Sequence, residues 1–258
     1  TLSDLRVPTA AAPWLQAATE GVSVEQDAAY ARRLRALDDA RRIVPALPKT
    51  LQAELRPYQE EGFEWAMRLA SAGLGACLAD DMGLGKTLQA LAVLLARASL
   101  GPALVVMPTS LLGNWRAEAT RFAPTLRIHL YGERGNPAER VGILAEMAHH
   151  DVLLVSYPIL QIDAEAFAVK VWTTLVLDEA QAIKNAAAKR SQAVFGLQAD
   201  FRLAMSGTPI ENRLAELWSV MRACNPGLLG SQQRFNERFA NLIERQTAAA
   251  HDSSIPRA

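Results

Sequence analysis

The sequence predicts an α/β fold: a mainly parallel sheet with helices on both faces, preceded by a small N-terminal helical segment. From about residue 50, short apolar runs alternate with stretches of helical periodicity, which is the pattern of βαβ crossovers. Several of the apolar runs contain almost no polar residue, as strands covered on both faces require. The chain has 258 residues and is 50% hydrophobic, which is enough for one sizeable α/β core and a smaller appendage.

The N-terminal segment, residues 1–47, differs in composition from the rest and is predicted to be a helical appendage. It is rich in alanine and arginine, and Tyr30, Leu34 and Leu37 fall near a 3.6-residue period. Pro48 closes the segment. Its arginines could contact nucleic acid, but aspartates lie among them, and we prefer the interpretation of a solvated helix face.

The main domain is predicted to span residues 48–230 and to alternate strands with helices. The strands are predicted at Gly75–Ala79, Ala103–Met107, Arg127–Leu130, Val152–Ser156, Thr174–Leu177 and Arg202–Met205. The helices between them are predicted at Lys86–Ser99, Leu111–Phe122, Ala138–His149 and Ala187–Leu197. Residues 231–258 are predicted to form one more helix, around Phe235 and Phe239, followed by a mobile tail from Thr247.

The charge balance excludes a uniformly basic protein that coats nucleic acid, because Lys+Arg and Asp+Glu are both 27. A local basic groove is still compatible with that balance. No apolar run approaches the roughly 20 residues of a membrane span, and the N-terminus lacks the basic and apolar regions of a signal peptide. We therefore expect no membrane association, and a cytoplasmic (nucleoid-associated) or nuclear location rather than secretion.

The cysteines and histidines give no metal signal. Cys77 and Cys224 lie far apart in the sequence and are predicted to be reduced and buried, as in cytosolic proteins. The histidines show no ligand spacing, and a metal protein is therefore a disfavoured interpretation; they are His129, His149, His150 and His251.

A phosphate-binding loop is predicted where the first strand runs into residues 80–87 and a helix follows at once. Gly83 and Gly85 would let the backbone turn tightly and present N–H groups to phosphate oxygens. Lys86 would place its ammonium between the β- and γ-phosphates of ATP, and the Thr87 hydroxyl would bind Mg²⁺. The N-terminus of the following helix would add its partial positive charge.

One position departs from the general loop pattern. That pattern has glycine five positions before Gly85, where this sequence has Asp80. A glycine turn that opens an ordinary helix is therefore an alternative. The following helix favours the loop, because residues 88–95 are apolar nearly all round and predict deep burial. A lysine at the start of a buried helix is costly unless an anion accompanies it.

A pair of carboxylates follows the strand predicted at Thr174–Leu177. Asp178 would hold the magnesium ion, directly or through water, and Glu179 would polarise the water that attacks the γ-phosphate. Such a pair could instead cap the next helix. The order of the two motifs, with the phosphate loop first and the carboxylates at a later strand end, favours the catalytic interpretation.

At this point the motifs resemble a known family. Asp178-Glu179-Ala180-Gln181 resembles the D-E-x-x box of superfamily two helicases. The segment Ala79–Thr87 resembles the phosphate loop of Swi/Snf-type remodelling ATPases, which carry aspartate where the general motif has glycine. Asp81 stands where glutamate is usual in that family.

Further blocks occur in the order typical of that family, and the resemblance covers about residues 50–245. They are the Q motif at Leu55–Gln59 with Gly62 and Trp65, motif Ia at Met107–Leu112 with Asn114, Trp115 and Glu118, the groove-facing segment Val155–Tyr157, motif III at Ser206–Asn212, and the later segments Leu217–Ser219 and Asn225–Gly230.

The resemblance implies a RecA-like lobe that binds ATP with Mg²⁺ and tracks double-stranded DNA. The implied ATP-binding residues are Arg56, Gln59 (on the adenine edge), Asp81, Met82, Gly83, Leu84, Gly85, Lys86 and Thr87. The implied catalytic residues are Lys86, Asp178 and Glu179, with Thr87 and Asp178 as magnesium ligands. Coupling of nucleotide to nucleic acid is implied for Gln181, Ser206, Gly207 and Thr208, and nucleic-acid contact for Thr109, Ser110, Trp115 and Ser156.

Two departures from the family pattern bear on function. Gln181 stands where histidine is frequent, and glutamine can still donate and accept hydrogen bonds toward motif III. These motors have two RecA-like lobes, and only 48 residues follow Ile210, too few for another lobe. We therefore expect the first lobe alone, from a longer protein, with weak nucleotide binding and little hydrolysis. A lobe of an RNA helicase and a non-catalytic ATP-binding scaffold are the alternatives.

Overall fold

The computed structural model of the chain describes residues 28–132, 137–207 and 214–240. Helices α1 to α10 lie at Ala28–Arg42, Pro57–Ser71, Lys86–Arg97, Leu112–Phe122, Pro137–Glu146, Tyr157–Ile162, Ala164–Ala168, Lys189–Phe195, Leu214–Cys224 and Gln232–Phe235. Strands β1 to β6 lie at Ala76–Leu78, Ala103–Met107, Arg127–Leu130, Asp151–Ser156, Val171–Leu177 and Gln198–Met205. Short 3₁₀ turns lie at Ala98–Leu100, Thr109–Leu111 and Ala180–Ile183, and a π-helical turn at Asn236–Ala240.

The six strands form one sheet in the order β1-β6-β5-β2-β4-β3, and every pair is parallel. Parallel strands need crossover connections, and helices supply most of them. The predicted α/β class with a parallel sheet is therefore confirmed.

Two apolar cores lie on opposite faces of the sheet, because successive side chains of a strand point to opposite sides. In β2, Ala103, Val105 and Met107 pack with α2, α3 and α4, whereas Leu104 and Val106 pack with α6, α7, α8 and α9. All five of these side chains are buried, which explains why the strand lacks polar residues.

The strand predictions are close to the structure, and the differences have local causes. β1 is shorter than predicted because Gly75 exchanges hydrogen bonds with the Asn225 side chain instead of extending the strand (2.8 and 3.0 Å). β5 and β6 begin earlier than predicted, and they pair from Val171 and Gln198 onward. The start of β6 contains polar residues, so the apolar run that predicted this strand begins later than the strand itself.

Several helices were not predicted, among them α2, α6 and α9. Helix α2 begins with Pro57 at its first turn, where a missing N–H is tolerated, and buries Phe63 and Ala66. Of the last predicted segment, Gln232–Phe235 is helical and continues as the π-helical turn. The tail from Thr247 lies outside the described residues.

The N-terminal segment reaches the main body through α1 and the chain that follows it. Ala40 is buried, the Arg68 guanidinium donates to the carbonyl of Ile43 (3.0 Å), and Leu47 and Leu51 pack against the first core. The division of the chain into units at residues 47 and 230 stays a prediction.

Candidate nucleotide-binding site

The predicted motifs meet at one edge of the sheet. Because all strands are parallel, the segments that follow β1, β2, β4, β5 and β6 leave from the same edge, where ligands of such sheets bind. The segment after β1 is the predicted phosphate loop, and Asp178 and Ser206 directly follow β5 and β6.

The backbone of the phosphate loop turns at two glycines with left-handed conformation. Gly83 has φ 81° and Gly85 has φ 75°, values at which an L side chain is strained. Apart from Gly83 itself and its two chain neighbours, no described residue has an atom within 4 Å of a Cβ built on Gly83, so the backbone is open there. Gly85 immediately precedes the 12-residue helix α3, whose first N–H groups lack intrahelical partners.

Residues at the start of α2 hold the phosphate loop by hydrogen bonds. Gln59 is 6% exposed; its amide nitrogen donates to the carbonyl of Leu84 (3.0 Å), and its amide oxygen accepts from the backbone N–H of Arg56 (2.9 Å). The Tyr58 hydroxyl also donates to the Leu84 carbonyl (3.1 Å). A Cβ on Gly85 would lie 2.4 Å from the Gln59 amide nitrogen. Gln59 thus fixes the loop backbone, while its contact with adenine stays a prediction, as does an ATP contact by the exposed Arg56.

Lys86 lies at the mouth of the loop. Its ammonium donates to the carbonyls of Asp80 (2.7 Å) and Asp81 (2.8 Å), and its charge is close enough to Asp178 to favour the ionised carboxylate. The Asp80 carboxylate accepts a hydrogen bond from the buried Gln89 on α3 (3.3 Å). The aspartate at the position of the general motif's glycine therefore ties the loop to its own helix.

Asp178 is the most firmly held carboxylate of the site. It is 7% exposed; Oδ2 accepts from the Trp115 indole (2.8 Å) and Oδ1 from the backbone N–H of Glu179 (2.9 Å). Burial raises the pKa of Asp178, and the charge of Glu179 adds to this, whereas the two hydrogen bonds and Lys86 act in the opposite direction. Burial and the charge of Asp178 likewise raise the pKa of Glu118, which follows Trp115 by three residues on α4.

Glu179 adopts a left-handed backbone conformation, with φ 48° and ψ 54°. For a residue other than glycine this conformation costs about 1–2 kcal/mol. The strain aims the side chain toward Gln181, whose amide nitrogen donates to Oε2 of Glu179. The Ser206 hydroxyl donates to Oε1 of Gln181 (2.8 Å). The segments after β5 and β6 are therefore joined by one chain of hydrogen bonds.

Gly207 brings the end of β6 close to the phosphate loop. A Cβ built on Gly207 would lie 3.0 Å from Cγ of Met82, a residue whose side chain is otherwise 72% exposed. The structure thus brings together Gln181, Ser206 and Gly207 of the predicted coupling set. The fourth member, Thr208, lies outside the described residues, together with the rest of motif III.

Two of the residues predicted to contact nucleic acid, Trp115 and Ser156, are buried, and their contact with nucleic acid stays a prediction. Trp115 is 2% exposed and Ser156 is 1% exposed. The Trp115 indole N–H is hydrogen-bonded to Asp178, and Ser156 ends β4, a strand that lies between β2 and β3. Thr109 and Ser110 are exposed on the turn after β2, and their nucleic-acid contact stays a prediction.

Three residues contribute to the site in ways that the sequence interpretation missed. The Tyr157 hydroxyl, buried, donates to the backbone carbonyl of Asp178 (2.9 Å); Tyr58 and Gln89 contact the phosphate loop as described. The signal for Gln89 was available, since a polar residue interrupts an otherwise apolar helix. The partners of the two tyrosines lie more than 20 residues away in sequence and had no local signal.

The donor set fits phosphate and magnesium. The open loop backbone, the start of α3 and the Lys86 ammonium are suited to phosphate oxygens. The half-buried hydroxyl of Thr87 and the carboxylate of Asp178 are hard oxygen ligands. Among the described residues there is no group of three or more His, Cys, Asp or Glu that could hold a metal ion. Magnesium does not require one, because it is bound through one or two carboxylates plus substrate phosphates.

Two further observations concern the cysteines and the polarity of the helices. Cys77 and Cys224 are free thiols; Cys224 is buried as predicted, whereas Cys77 is only partly buried. Over the described ranges, the helices are too short or too polar to cross a membrane.

Comparison with known proteins agrees with this geometry. The sequence profile of the SNF2-related domain matches residues 58–254. YwqA of Bacillus subtilis (strain 168), named for an ATP-dependent helicase/translocase, is 44% identical over 76% of this chain and 22% of that protein. The chromatin-remodeling ATPase INO80 of Drosophila melanogaster is 39% identical over 76% of this chain and 13% of that protein. The chain thus spans less than a quarter of these relatives.

A solved structure resembles the described fold. The SWI2/SNF2 ATPase core of Sulfolobus solfataricus, in complex with double-stranded DNA, superposes with a TM-score of 0.70 at 41% sequence identity. The match covers 79% of this chain and 42% of that one. At this identity the likeness extends to sequence as well as fold.

Proposed function

The chain belongs to the SNF2-related domain family, and from that membership we propose that it is the ATP-binding lobe of a motor that moves along double-stranded DNA by hydrolysing ATP. One observation carries the proposal. The phosphate loop with Lys86, the carboxylates Asp178 and Glu179, and the hydrogen-bonded link from Gln181 to Ser206 all lie at one edge of the sheet. A scaffold without catalysis would not need this link.

In the proposed mechanism the loop binds the phosphates before any chemistry. The N–H groups at Gly83 and Gly85 and the start of α3 cradle the phosphate oxygens, and Lys86 exchanges its two carbonyl partners for the terminal phosphates. Thr87 and Asp178 would hold Mg²⁺, which when bound supplies neutralisation of the phosphate charge.

Glu179 then orients the attacking water and accepts its proton. The Glu179 carboxylate accepts a hydrogen bond from the Gln181 amide, which in turn accepts one from Ser206. A movement of Glu179 on hydrolysis is therefore transmitted to Ser206 and to the segment that follows it. We propose that this segment and the exposed Thr109 and Ser110 carry the response to the DNA backbone, by contacts to phosphates rather than bases.

A second RecA-like lobe is proposed to complete the site. In motors of this kind an arginine finger stabilises the transition state, and its absence costs on the order of 10³ or more in rate. The 258-residue chain is therefore expected to bind nucleotide and hydrolyse it slowly. We place the protein in the cytoplasm, on the nucleoid, or in a nucleus, which is consistent with its two free thiols.

The test is nucleotide binding by Lys86→Ala, with Lys49→Ala, at an exposed lysine, as the matched control. Removing a charge-assisted hydrogen bond costs about 1.5–3 kcal/mol, or roughly 10- to 150-fold in affinity. We expect that loss for Lys86→Ala in a fluorescence titration with a labelled ADP, and no change for the control. Equal affinity of the two variants would overturn the proposed site.

The DNA part of the proposal has its own test in a chain extended to include the second lobe. We expect ATP turnover to be stimulated by duplex DNA and not by RNA of the same length. Stimulation by RNA alone would assign the lobe to an RNA motor instead.

A further inference from the structure

A buried indole lies against the carboxylate that the proposed function assigns to magnesium. Trp115 is on α4, one of the helices that cover the first core, and Asp178 follows the central strand β5. The 2.8 Å hydrogen bond from Nε1 to Oδ2 joins residues 63 positions apart, and both residues are buried. It is therefore shielded from competing water, where a hydrogen bond to a charged group is worth most.

The rest of Asp178 is held as firmly as its carboxylate. Its backbone N–H donates to the carbonyl of Val106 on β2 (2.8 Å), and its carbonyl accepts from the Tyr157 hydroxyl (2.9 Å). The backbone N–H of Glu179 donates to Oδ1 (2.9 Å). Two hydrogen bonds thus fix the main chain of Asp178, and the remaining freedom is rotation of the carboxylate, which the Glu179 N–H restrains at Oδ1 and the indole at Oδ2.

We propose that Trp115 is a positioning residue for the magnesium-binding carboxylate: its N–H fixes the orientation of Asp178 toward the phosphate loop. This inference rests on the proposed function. Each carboxylate oxygen has more than one lone pair, so Oδ1 and Oδ2 can accept these hydrogen bonds and still face a metal or its water. Partners that orient a metal ligand in this way typically account for 10–100-fold in metal affinity.

Through its helix, Trp115 also links Asp178 to an exposed turn on the surface. Helix α4 begins directly after the 3₁₀ turn Thr109–Leu111, where Thr109 and Ser110 are exposed. A shift of this helix along its axis moves the indole relative to Asp178. The metal site thus has a connection to this turn that does not pass through Gln181.

The test compares two buried tryptophans. Trp115→Phe removes the N–H that Asp178 accepts and keeps an aromatic ring. Trp172→Phe is the matched control, because Trp172 is fully buried in the other core and its indole N–H has no partner among the described residues. The probe is Mn²⁺, titrated by electron paramagnetic resonance into the 258-residue chain in the presence of ADP.

We expect Trp115→Phe to weaken Mn²⁺ binding by 10- to 100-fold while the affinity for ADP without metal is unchanged, and Trp172→Phe to match the wild type. Equal Mn²⁺ affinity in the two variants would overturn the inference and leave the proposed function intact. If the wild type itself binds no metal with ADP, the proposed function fails, and this inference fails with it.

A measurement on the wild type covers the case in which Trp115→Phe does not fold. In a nitrogen–proton spectrum, the indole N–H of Trp115 is expected to exchange slowly with solvent and to shift when Mg²⁺ is added to the ADP complex. The indole N–H of Trp172 is expected to stay in place. A Trp115 signal that does not respond to Mg²⁺ would contradict the proposed restraint.

Discussion

Replacing the two loop glycines one at a time separates backbone strain from the contact with Gln59. Gly83 and Gly85 have nearly the same φ, 81° and 75°, so alanine is strained to a similar extent at both, by about 1–2 kcal/mol. The surroundings differ. A Cβ on Gly83 meets no described residue beyond its two chain neighbours within 4 Å, whereas a Cβ on Gly85 lies 2.4 Å from the Gln59 amide nitrogen.

The difference between the two variants can be estimated from this contact. Gly85→Ala must displace the Gln59 amide from the Leu84 carbonyl, and a buried amide without its partner costs about 1–3 kcal/mol. We therefore expect Gly85→Ala to be less stable than Gly83→Ala by that amount. For a chain of this size the difference corresponds to a melting temperature lower by roughly 2–12 °C.

The assay is thermal and urea denaturation of the two glycine variants, of Gln59→Ala, and of Gly85→Ala combined with Gln59→Ala. In the Gln59→Ala background the amide is absent, so Gly85→Ala is expected to cost only the strain measured at Gly83. Equal stability losses for Gly83→Ala and Gly85→Ala would refute the idea that Gln59 holds the loop. The same conclusion follows if the gap persists in the double variant.

Three further predictions concern stability. Asn225→Ala removes both hydrogen bonds to the backbone of Gly75 and is expected to cost about 1–3 kcal/mol in urea denaturation; an unchanged midpoint would contradict this. Burial acts to raise the pKa of Asp151, but hydrogen bonds, led by that from Arg127, bring it below its usual value. The stability that the Asp151 carboxylate contributes is therefore complete above the unfolded pKa of about 3.9 and is lost as the pH falls through the lower folded value. We expect the difference in free energy of unfolding between wild type and Asp151→Asn to become smaller from pH 7 to pH 3. Burial, with a carboxylate that accepts from its hydroxyl, raises the pKa of Tyr131 to about 12. The stability that the Tyr131 hydroxyl contributes is present below the unfolded pKa of about 10 and is lost as the pH rises through the folded value. We expect the denaturation midpoint of wild type to fall over this alkaline range, and that of Tyr131→Phe to fall less.

The parts of the site that follow from local pattern could be predicted from the sequence. The strand before Asp178 is an uninterrupted apolar run because it is covered on both faces, and the loop glycines are needed for a local backbone conformation. Such features depend on a few consecutive residues. The parallel sheet and the position of the loop and of the carboxylates could therefore be anticipated.

The contacts between distant segments could not be predicted in this way. Trp115 follows polar residues after a strand and resembles a surface aromatic, yet it is buried because Asp178, 63 residues later, accepts its N–H. Gln59 resembles a ligand-binding amide, yet both its polar atoms are bonded to the backbone of this chain. The partner of a buried polar group is decided by the packing of whole elements, which periodicity does not encode.

The position of β1 as an outermost strand of the sheet has a consequence for synthesis on the ribosome. Within the described sheet its neighbour is β6, and Ala76 pairs with Leu203, 127 residues later in the chain. At about 5–20 residues per second, translation needs roughly 6–25 s to make the second partner after the first. For that interval the emerging polypeptide carries β1 as an unpaired apolar strand, next to the phosphate loop. Of the described strands, the one made first therefore waits for the one made last, and a chaperone that binds nascent chains has that interval in which to act.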